Sequence, residues 1–378
     1  MTTLQGMSTT VALLFGGRSG EHGISCITAG GILEAIDRDR YEVIALGITR
    51  DGRLVHVSDD PAHWHLFGGA APEVPADGDE VLLPSRPHQP GQRSELRVIR
   101  EGRVEPLAQI DVVFPLLHGP YGEDGTIQGA LDLLDVPYVG SGVLGSALGM
   151  DKDATKMVLQ AAGIGVAPGF LVRREQWAAD PESVREKVAK LQAPLFVKPA
   201  RAGSSLGVSR VDNPEGADLE TALETAFRED PKVLIEQGIH GREVECGVLQ
   251  GIDGAPPRTT IPGEVRIGSD LDFYDYESKY FSKGTVHIDV PAEISEELQT
   301  TVRDIAARTF TALGLEGLAR VDVFVTEDGN VLVNEVNTMP GFTPFSMFPV
   351  LWQNMGLSYP ELISDLIEQA RRRPLGLR

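Results

Sequence analysis

Cysteine is almost absent from this chain, with two in 378 residues. Cys26 and Cys246 lie far apart and show no CxxC spacing, which argues against a disulfide framework and for a reduced, cytoplasmic setting. Long apolar runs are missing too. Residues 1–10 carry no basic side chain and the apolar run at 11–15 ends in Gly-Gly, so the N-terminus reads as a strand and not as a signal peptide or membrane span. Positive charge is scarce: 34 Lys and Arg stand against 55 Asp and Glu, a formal net charge of −21. Phosphates would be repelled over most of such a surface, which argues against nucleic acid or an anionic membrane as partner. Anionic substrates must then be drawn in by local clusters of Lys and Arg. No internal repeat or low-complexity tract occurs.

What is present is ordinary for a soluble globular protein, 42% hydrophobic and 24% charged. The length exceeds one core and predicts two or three domains. The first third alternates strands at 11–15, 41–48 and 112–115 with helices near 25–36 and 126–134, the rhythm of a parallel sheet with crossover helices. A Pro-, Gly- and charge-rich stretch at 84–102 interrupts it as a surface loop or extra hairpin. A second unit opens near Asp151, with a helix at 154–161, strands at 194–198 and 233–236, and a helix at 219–227. The remainder holds strands, a polar aromatic stretch at 270–280, a helix near 295–313, an acidic hairpin and a terminal helix from about Tyr359. Boundaries at 1–150, 151–240 and 241–378 follow from this pattern.

The hairpin carries the first chemical signal. Arg320-Val-Asp322-Val-Phe-Val and Val-Leu-Val-Asn-Glu335-Val-Asn337 are alternating runs that flank Asp328-Gly329, the dipeptide expected of a two-residue type I′ turn. With that turn Asp322 faces Glu335 and Arg320 faces Asn337. Residues two apart share a face, so the two acids meet at about 5 Å between Cβ atoms, where like charges destabilise. Something positive is expected between them. Two carboxylates and an amide carbonyl suit a hard cation such as Mg²⁺ that also grips a phosphate.

Several loops add to this. Lys198-Pro-Ala-Arg-Ala-Gly203-Ser204-Ser205-Leu-Gly207 leaves an apolar strand and could offer a lysine and backbone N–H groups to phosphate, though it is neither a Walker A loop nor a Rossmann GxGxxG. Asp151-Lys152 places a cation at a helix start, where an anion nearby would favour it. Glu236-Gln237-Gly-Ile239-His-Gly-Arg-Glu243 is a Gly-punctuated linker after a strand, with backbone groups for an adenine edge and a carboxylate for ribose hydroxyls. Gly16-Gly17-Arg-Ser-Gly-Glu21-His-Gly-Ile-Ser25 and Leu117-His118-Gly119-Pro-Tyr-Gly122-Glu-Asp-Gly125 both follow strands, at the sheet edge where open α/β folds bind ligands. Ser25 reads as a helix N-cap, and Glu21 could pair with an ammonium group. Asp272-Phe-Tyr-Asp-Tyr-Glu-Ser-Lys279-Tyr280 mixes aromatics and both charge signs, a loop able to close over a charged ligand.

Read together and in this order, these segments resemble the D-alanine:D-alanine ligases of the ATP-grasp superfamily over nearly the whole chain. The family's Gly-Gly-x-Ser-x-Glu, Leu-His-Gly-x-x-Gly-Glu-Asp-Gly, Lys-Pro-x-x-x-Gly-Ser-Ser, Tyr-Asp-Tyr-Glu-x-Lys-Tyr and Glu-x-Asn-Thr-x-Pro-Gly signatures all occur. The resemblance implies an α/β chain with a three-domain ATP-grasp fold and an N-terminal Rossmann-like parallel-sheet domain. It implies ligation of two D-alanine molecules for peptidoglycan precursor synthesis, with ATP as co-substrate, two Mg²⁺ or Mn²⁺, a monovalent cation such as K⁺, and a homodimer. By the same resemblance Lys152, Lys198 and Ser205 would hold ATP phosphates, Glu236, Gln237 and Ile239 adenine, and Glu243 the ribose. Asp322, Glu335 and Asn337 would bind metal. Glu21 would take the first D-alanine's ammonium with His118 near it, and Glu21, Ser204 and Tyr280 would link to fix the closing loop. Lys279 and Ser346 would receive the second D-alanine's carboxylate, and Arg320 and the Gly341 N–H would stabilise the acyl phosphate and tetrahedral intermediate. Two departures stand out: Gly23 where many members have Glu, and Gln237 where several have Lys. The first should alter helix entry only, the second one contact to adenine. Competing readings are a ligase joining D-alanine to a different partner such as D-lactate, and a nucleotide-binding regulatory module without the chemistry.

Overall fold

The structure is a computed structural model and describes residues 8–87, 92–267 and 286–374. Its first sheet contains β1 (Thr9–Gly16), β2 (Tyr41–Ile48), β3 (Leu54–His56), β4 (Glu80–Leu82), β5 (Ser94–Arg100), β6 (Arg103–Ile110) and β7 (Val112–Pro115), in the order β6-β5-β4-β3-β2-β1-β7. β1 pairs in parallel with β2 and β7. Its run Val-Ala-Leu-Leu-Phe is buried on both faces, as an interior parallel strand demands. The expected parallel sheet is thus mixed, because β3 to β6 extend it antiparallel and the 84–102 stretch contributes to a hairpin.

The helix after β1, α1 (His22–Ala35), starts three residues earlier than expected. Ser25 is not its cap. Its Oγ lies inside the first turn, accepts from Gly16 N at 2.8 Å and donates to Leu116 O at 2.6 Å, tying the ends of β1 and β7 together. The chain continues through α2 (Thr126–Leu133), α3 (Val143–Met150) and α4 (Lys152–Ala161), the last capped by Asp151, which accepts from Ala154 N.

A four-stranded antiparallel sheet follows, from β8 (Gly169–Arg173), β9 (Leu195–Pro199), β10 (Ser209–Val211) and β11 (Lys232–Gln237), with α5 (Arg174–Ala179), α6 (Pro181–Val188) and α7 (Ala217–Glu229). The third sheet has the order β15-β14-β12-β16-β17, with β13 (Arg258–Thr259) beside β12. Here β12 is Gly241–Leu249, β14 Gly263–Ile267, β15 Val286–Asp289, β16 Leu318–Thr326 and β17 Val331–Asn337, and α8 (Glu296–Ala312) packs on it.

The last helices, α9 (Met347–Asn354) and α10 (Tyr359–Arg372), return to the first sheet. Phe342, Phe348, Trp352, Leu362 and Ile363 share one buried core with Phe15 and Phe114, with Phe114 and Phe342 edge to face at 6.1 Å. A buried aromatic anchor of this kind is worth about 3–5 kcal/mol. The packing brings the loop after β17 against the carboxyl ends of β1 and β7.

The β16–β17 hairpin pairs Asp322 with Glu335 and Arg320 with Asn337, as the alternation predicts. It reaches that register by another route. Val325 pairs with Val331, so the turn has three residues, and only Gly329 among them is left-handed, at φ 82°. That is a type I turn closed by a left-handed residue, not type I′. Thr326 Oγ1 accepts from Asn330 N at 3.0 Å and stabilises the wider loop. A bulge between Asp322 and Val323 then shifts the register back by one.

Candidate active site

A cleft of about 340 Å³ opens between the second and third sheets and is lined by Lys152, Lys198, Ser204, Ser205, Glu236, Gln237, Ile239, Glu243, Arg320, Asp322 and Glu335. Residues spread over nearly half of the sequence meet there. Its apolar walls include Phe196 and Phe324, which the motif reading missed. Their signal was in the alternation, since Phe324 shares a face with Arg320 and Asp322, and Phe196 with Lys198.

The acidic pair is balanced by the protein's own cations. Arg320 donates from Nε and Nη2 to the two oxygens of Asp322, each at 2.7 Å, and its Nε lies 2.7 Å from Glu245. Asn337 Nδ2 donates to Asp322 at 3.0 Å. Lys152 stands 3.6 Å from Glu335 and donates to Ala202 O at 2.8 Å. Glu245, opposite Asp322 across β12 and β16, was not legible because it needs the sheet pairing. The oxygens of Asp322 and Glu335 and the carbonyl of Asn337 form a donor set that fits a hard cation. Among the described residues no group of three His, Cys, Asp or Glu is placed to hold a metal, so the amide and substrate oxygens would have to complete such a site.

Glu236, which the sequence placed where a strand runs into a Gly-punctuated linker, lies near the end of β11 with its side chain buried. It is 3% exposed, and its two oxygens pair with Lys156 and Lys198, so its side chain is committed and only its backbone is available to a base. Gln237 accepts from Gln192 N at 3.1 Å. Glu243 is exposed, 3.4 Å from Asn334 Nδ2.

The first-strand loop reaches this cleft through Ser204, whose Oγ donates to Glu21 at 2.5 Å. Ser204 and Ser205 both adopt left-handed φ, 50° and 59°, conformations that cost about 1–3 kcal/mol each and concentrate at ligand clamps. A Cβ at Gly203 would lie 2.9 Å from Glu21 Oε2, so a side chain there would push the carboxylate aside. His118 is buried, its Nδ1 3.1 Å from Met339 O and its Nε2 3.5 Å from Thr28 Oγ1. Burial lowers its pKa, opposed by Glu21 and Met339; the neutral ring carries its proton on Nδ1 toward the carbonyl. Ser346 Oγ accepts from Thr343 N at 3.1 Å and lies beside Gly341. Lys279 and Tyr280 lie outside the described residues.

Glu123 was also missed as a site residue. It accepts from Gly119 N at 2.7 Å and Met339 N at 3.0 Å, clamping the loop after β7 to the loop after β17. Burial and the Glu21 charge push its carboxyl up to about 8, against the two N–H groups. A carboxyl raised in the folded state contributes stability that is complete below its unfolded value of about 4.3 and is lost as pH rises to about 8. The melting temperature of Glu123→Gln minus that of the wild type should therefore rise from pH 5 to 8 and then level off. Thermal melts across that range check this, and a difference that does not vary with pH shows Glu123 to be ionised in the folded chain.

Comparison with known proteins places the chain among relatives. Residues 10–141 match the family model described as D-ala D-ala ligase N-terminus, and residues 158–368 the one described as D-ala D-ala ligase C-terminus. A D-alanine–D-alanine ligase from Pseudarthrobacter chlorophenolicus is 50% identical over 370 residues, covering 97% of this chain and 95% of the relative. One from Streptomyces coelicolor is 48% identical over 377 residues, covering 97% and 94%. Among solved structures, the D-alanine–D-alanine ligase from Coxiella burnetii matches with TM-score 0.79 and 31% identity, covering 96% of this chain and 94% of that one. The VanG D-Ala:D-Ser ligase from Enterococcus faecalis matches with TM-score 0.80 and 34% identity, covering 96% and 100%. With both family models matched and the acidic hairpin, the lysines and the Glu21–Ser204 contact in one cleft, the chain belongs to the D-alanine–D-alanine ligase family.

Proposed function

We propose that the chain joins two D-alanine molecules into D-alanyl-D-alanine through a D-alanyl phosphate, at the expense of ATP, for peptidoglycan precursor synthesis. The observation that carries this reading is the single cleft in which Lys152, Lys198 and Arg320 face Asp322 and Glu335 while Ser204 connects it to Glu21. A carboxylate is a poor electrophile. The first D-alanine, its ammonium against Glu21 and beside His118, attacks the ATP γ-phosphoryl group through its carboxylate, breaking the bond to the β-phosphate oxygen so that ADP leaves and D-alanyl phosphate forms. Lys152, Lys198 and Arg320 offset the charge on the transferring group, the Ser205 loop lies over the phosphates, backbone groups of residues 236–239 meet adenine, and Glu243 meets the ribose. Two Mg²⁺, or Mn²⁺, held by Asp322, Glu335 and Asn337 would offset phosphate charge when bound. The deprotonated amine of the second D-alanine, its carboxylate at Lys279 and Ser346, attacks the carbonyl carbon of the acyl phosphate and loses its extra proton to solvent. Arg320 and the Gly341 N–H receive the oxyanion, at about 3–4 kcal/mol per donor in comparable sites, and phosphate leaves.

Three domains, at about 1–150, 151–240 and 241–378, a cytoplasmic location, a monovalent cation such as K⁺ and a homodimer belong to the same reading. Among the described residues no helix is long and apolar enough to cross a membrane. Leu133 and Leu144, 77% and 66% exposed on the contacting helices α2 and α3, support a second copy there, which light scattering tests. Phosphate release with D-alanine, with mass spectrometry of the product, tests the reaction. No ADP formed with any D-amino acid present would overturn it in favour of a nucleotide-binding module.

Tyr280→Phe removes one hydroxyl from the proposed Glu21–Ser204–Tyr280 link. One hydrogen bond is worth about 0.5–1.5 kcal/mol, so the expected loss in rate is partial, and D-lactate should compete better with D-alanine as second substrate. A ratio of depsipeptide to dipeptide equal to that of the wild type from pH 6 to 9 shows that the hydroxyl has no part in selection.

A further inference from the structure

Lys156 has no role in the reaction as described, yet its ammonium is buried against the nucleotide cleft, with the side chain 8% exposed. It projects from α4 and pairs with Glu236 Oε1, while Lys198 from β9 pairs with Glu236 Oε2. Three elements thus meet in a Lys–Glu–Lys bridge whose central carboxylate is 4% exposed. A carboxylate shared by two ammonium groups holds each less tightly than it would hold one. The bridge also keeps one net positive charge next to the phosphate-facing wall, where a Lys198–Glu236 pair alone would keep none.

We propose that Lys156 is a positioning residue for the nucleotide: by occupying one oxygen of Glu236 it leaves Lys198 free to turn toward the phosphates. The inference rests on the reading of this cleft as the ATP site. The charged groups facing Lys156 are Glu236 on β11, Lys198 on β9 and Lys152 on its own helix, and Lys198 in turn feels Glu335 on β17 and Glu243 on β12. Burial, opposed by Glu236 and joined by the two lysines, brings Lys156 down to about 8. Burial lowers Lys198 also, but its pairing with Glu236 outweighs this and holds it above the ordinary lysine range. Lys156 is therefore the lysine of this pair that loses its proton first. Phosphates favour its charged form, so ATP binding takes up a proton and weakens as pH rises past 8.

Calorimetric binding of ATP with Mg²⁺, without D-alanine, tests this at pH 7 to 9 in the wild type, Lys156→Arg and Lys156→Met. For one linked proton the wild-type Kd rises about tenfold between pH 7 and 9, and the binding enthalpy at pH 8 depends on the buffer's ionisation heat. Lys156→Met should bind about tenfold more weakly at pH 7, a loss of about 1.4 kcal/mol, with no dependence on pH. Lys156→Arg, whose charge is permanent, should hold the pH 7 affinity of the wild type up to pH 9. The same pH profile in Lys156→Arg as in the wild type, or a Lys156→Met Kd within twofold at pH 7, overturns the inference and leaves the ligase reading standing. A wild-type chain that binds no ATP overturns both.

Discussion

Asp322→Asn should cut D-alanine-dependent ADP release, at saturating ATP and Mg²⁺, by on the order of 10³-fold, the scale seen when a group that stabilises transferring charge is lost. The substitution keeps the shape and the hydrogen bond to Asn337 but removes a charged oxygen from the proposed cation-binding set. It should also destabilise the chain. Considered alone, the facing pair Asp322 and Glu335 suggests the opposite, since removing one of two like charges relieves repulsion. The surroundings reverse that sign. Asp322 is 2% exposed and accepts a two-pronged bond from Arg320, whose charge Glu245 and Glu335 also balance. Removing a partner from a buried ion pair costs up to about 3–5 kcal/mol. An isosteric amide costs less, so the melting temperature should fall by about 5 °C in a chain of this size. Thermal melts and ADP release checked together decide both points. Activity within tenfold of the wild type removes Asp322 from the site, and a higher melting temperature shows that repulsion by Glu335 outweighs pairing with Arg320.

Glu21→Gln should raise the KM for the first D-alanine by about 10²-fold, because truncating the charge of a buried hydrogen-bonded pair costs about 2–5 kcal/mol. ATP affinity should change far less. Ser204 can still donate to the amide oxygen, so the loop keeps its shape while the ammonium loses its counter-charge. A second substitution reaches the same carboxylate from the opposite side. In Gly203→Ala the new methyl would lie 2.9 Å from Glu21 Oε2, and the carboxylate must move although its charge is intact. Its KM for the first D-alanine should rise as well. Steady-state kinetics with the two D-alanine sites separated measure both variants. If Glu21→Gln leaves the first KM unchanged, Glu21 does not face the ammonium; if Gly203→Ala alone leaves it unchanged, the carboxylate has shifted without losing the ammonium.

The sequence by itself determined the pieces whose physics is local. Alternation in β16 and β17 placed Arg320, Asp322, Glu335 and Asn337 on one face, because side chains in a strand repeat every two residues whatever the rest of the fold does. Strand-then-glycine loops likewise marked the ends of β1, β7 and β9, where Glu21, His118 and Lys198 are found. Even so, the hairpin register followed from a turn that is not formed, and it holds because the bulge beyond Asp322 cancels the extra turn residue.

Tertiary structure alone decided how charges pair across elements. The chain spacing of Lys156, Lys198 and Glu236 says nothing about their meeting, and only the packing of α4 against β9 and β11 turns an apparent linker acid into the centre of a buried bridge. The same holds for Glu245 beneath Arg320 and for Glu123, whose bond to Met339 exists because α9 and α10 fold back onto the first sheet. Desolvation and the charges enclosed beside a buried group together set its ionisation, and both depend on which surfaces the whole fold brings together, something that no window of sequence contains.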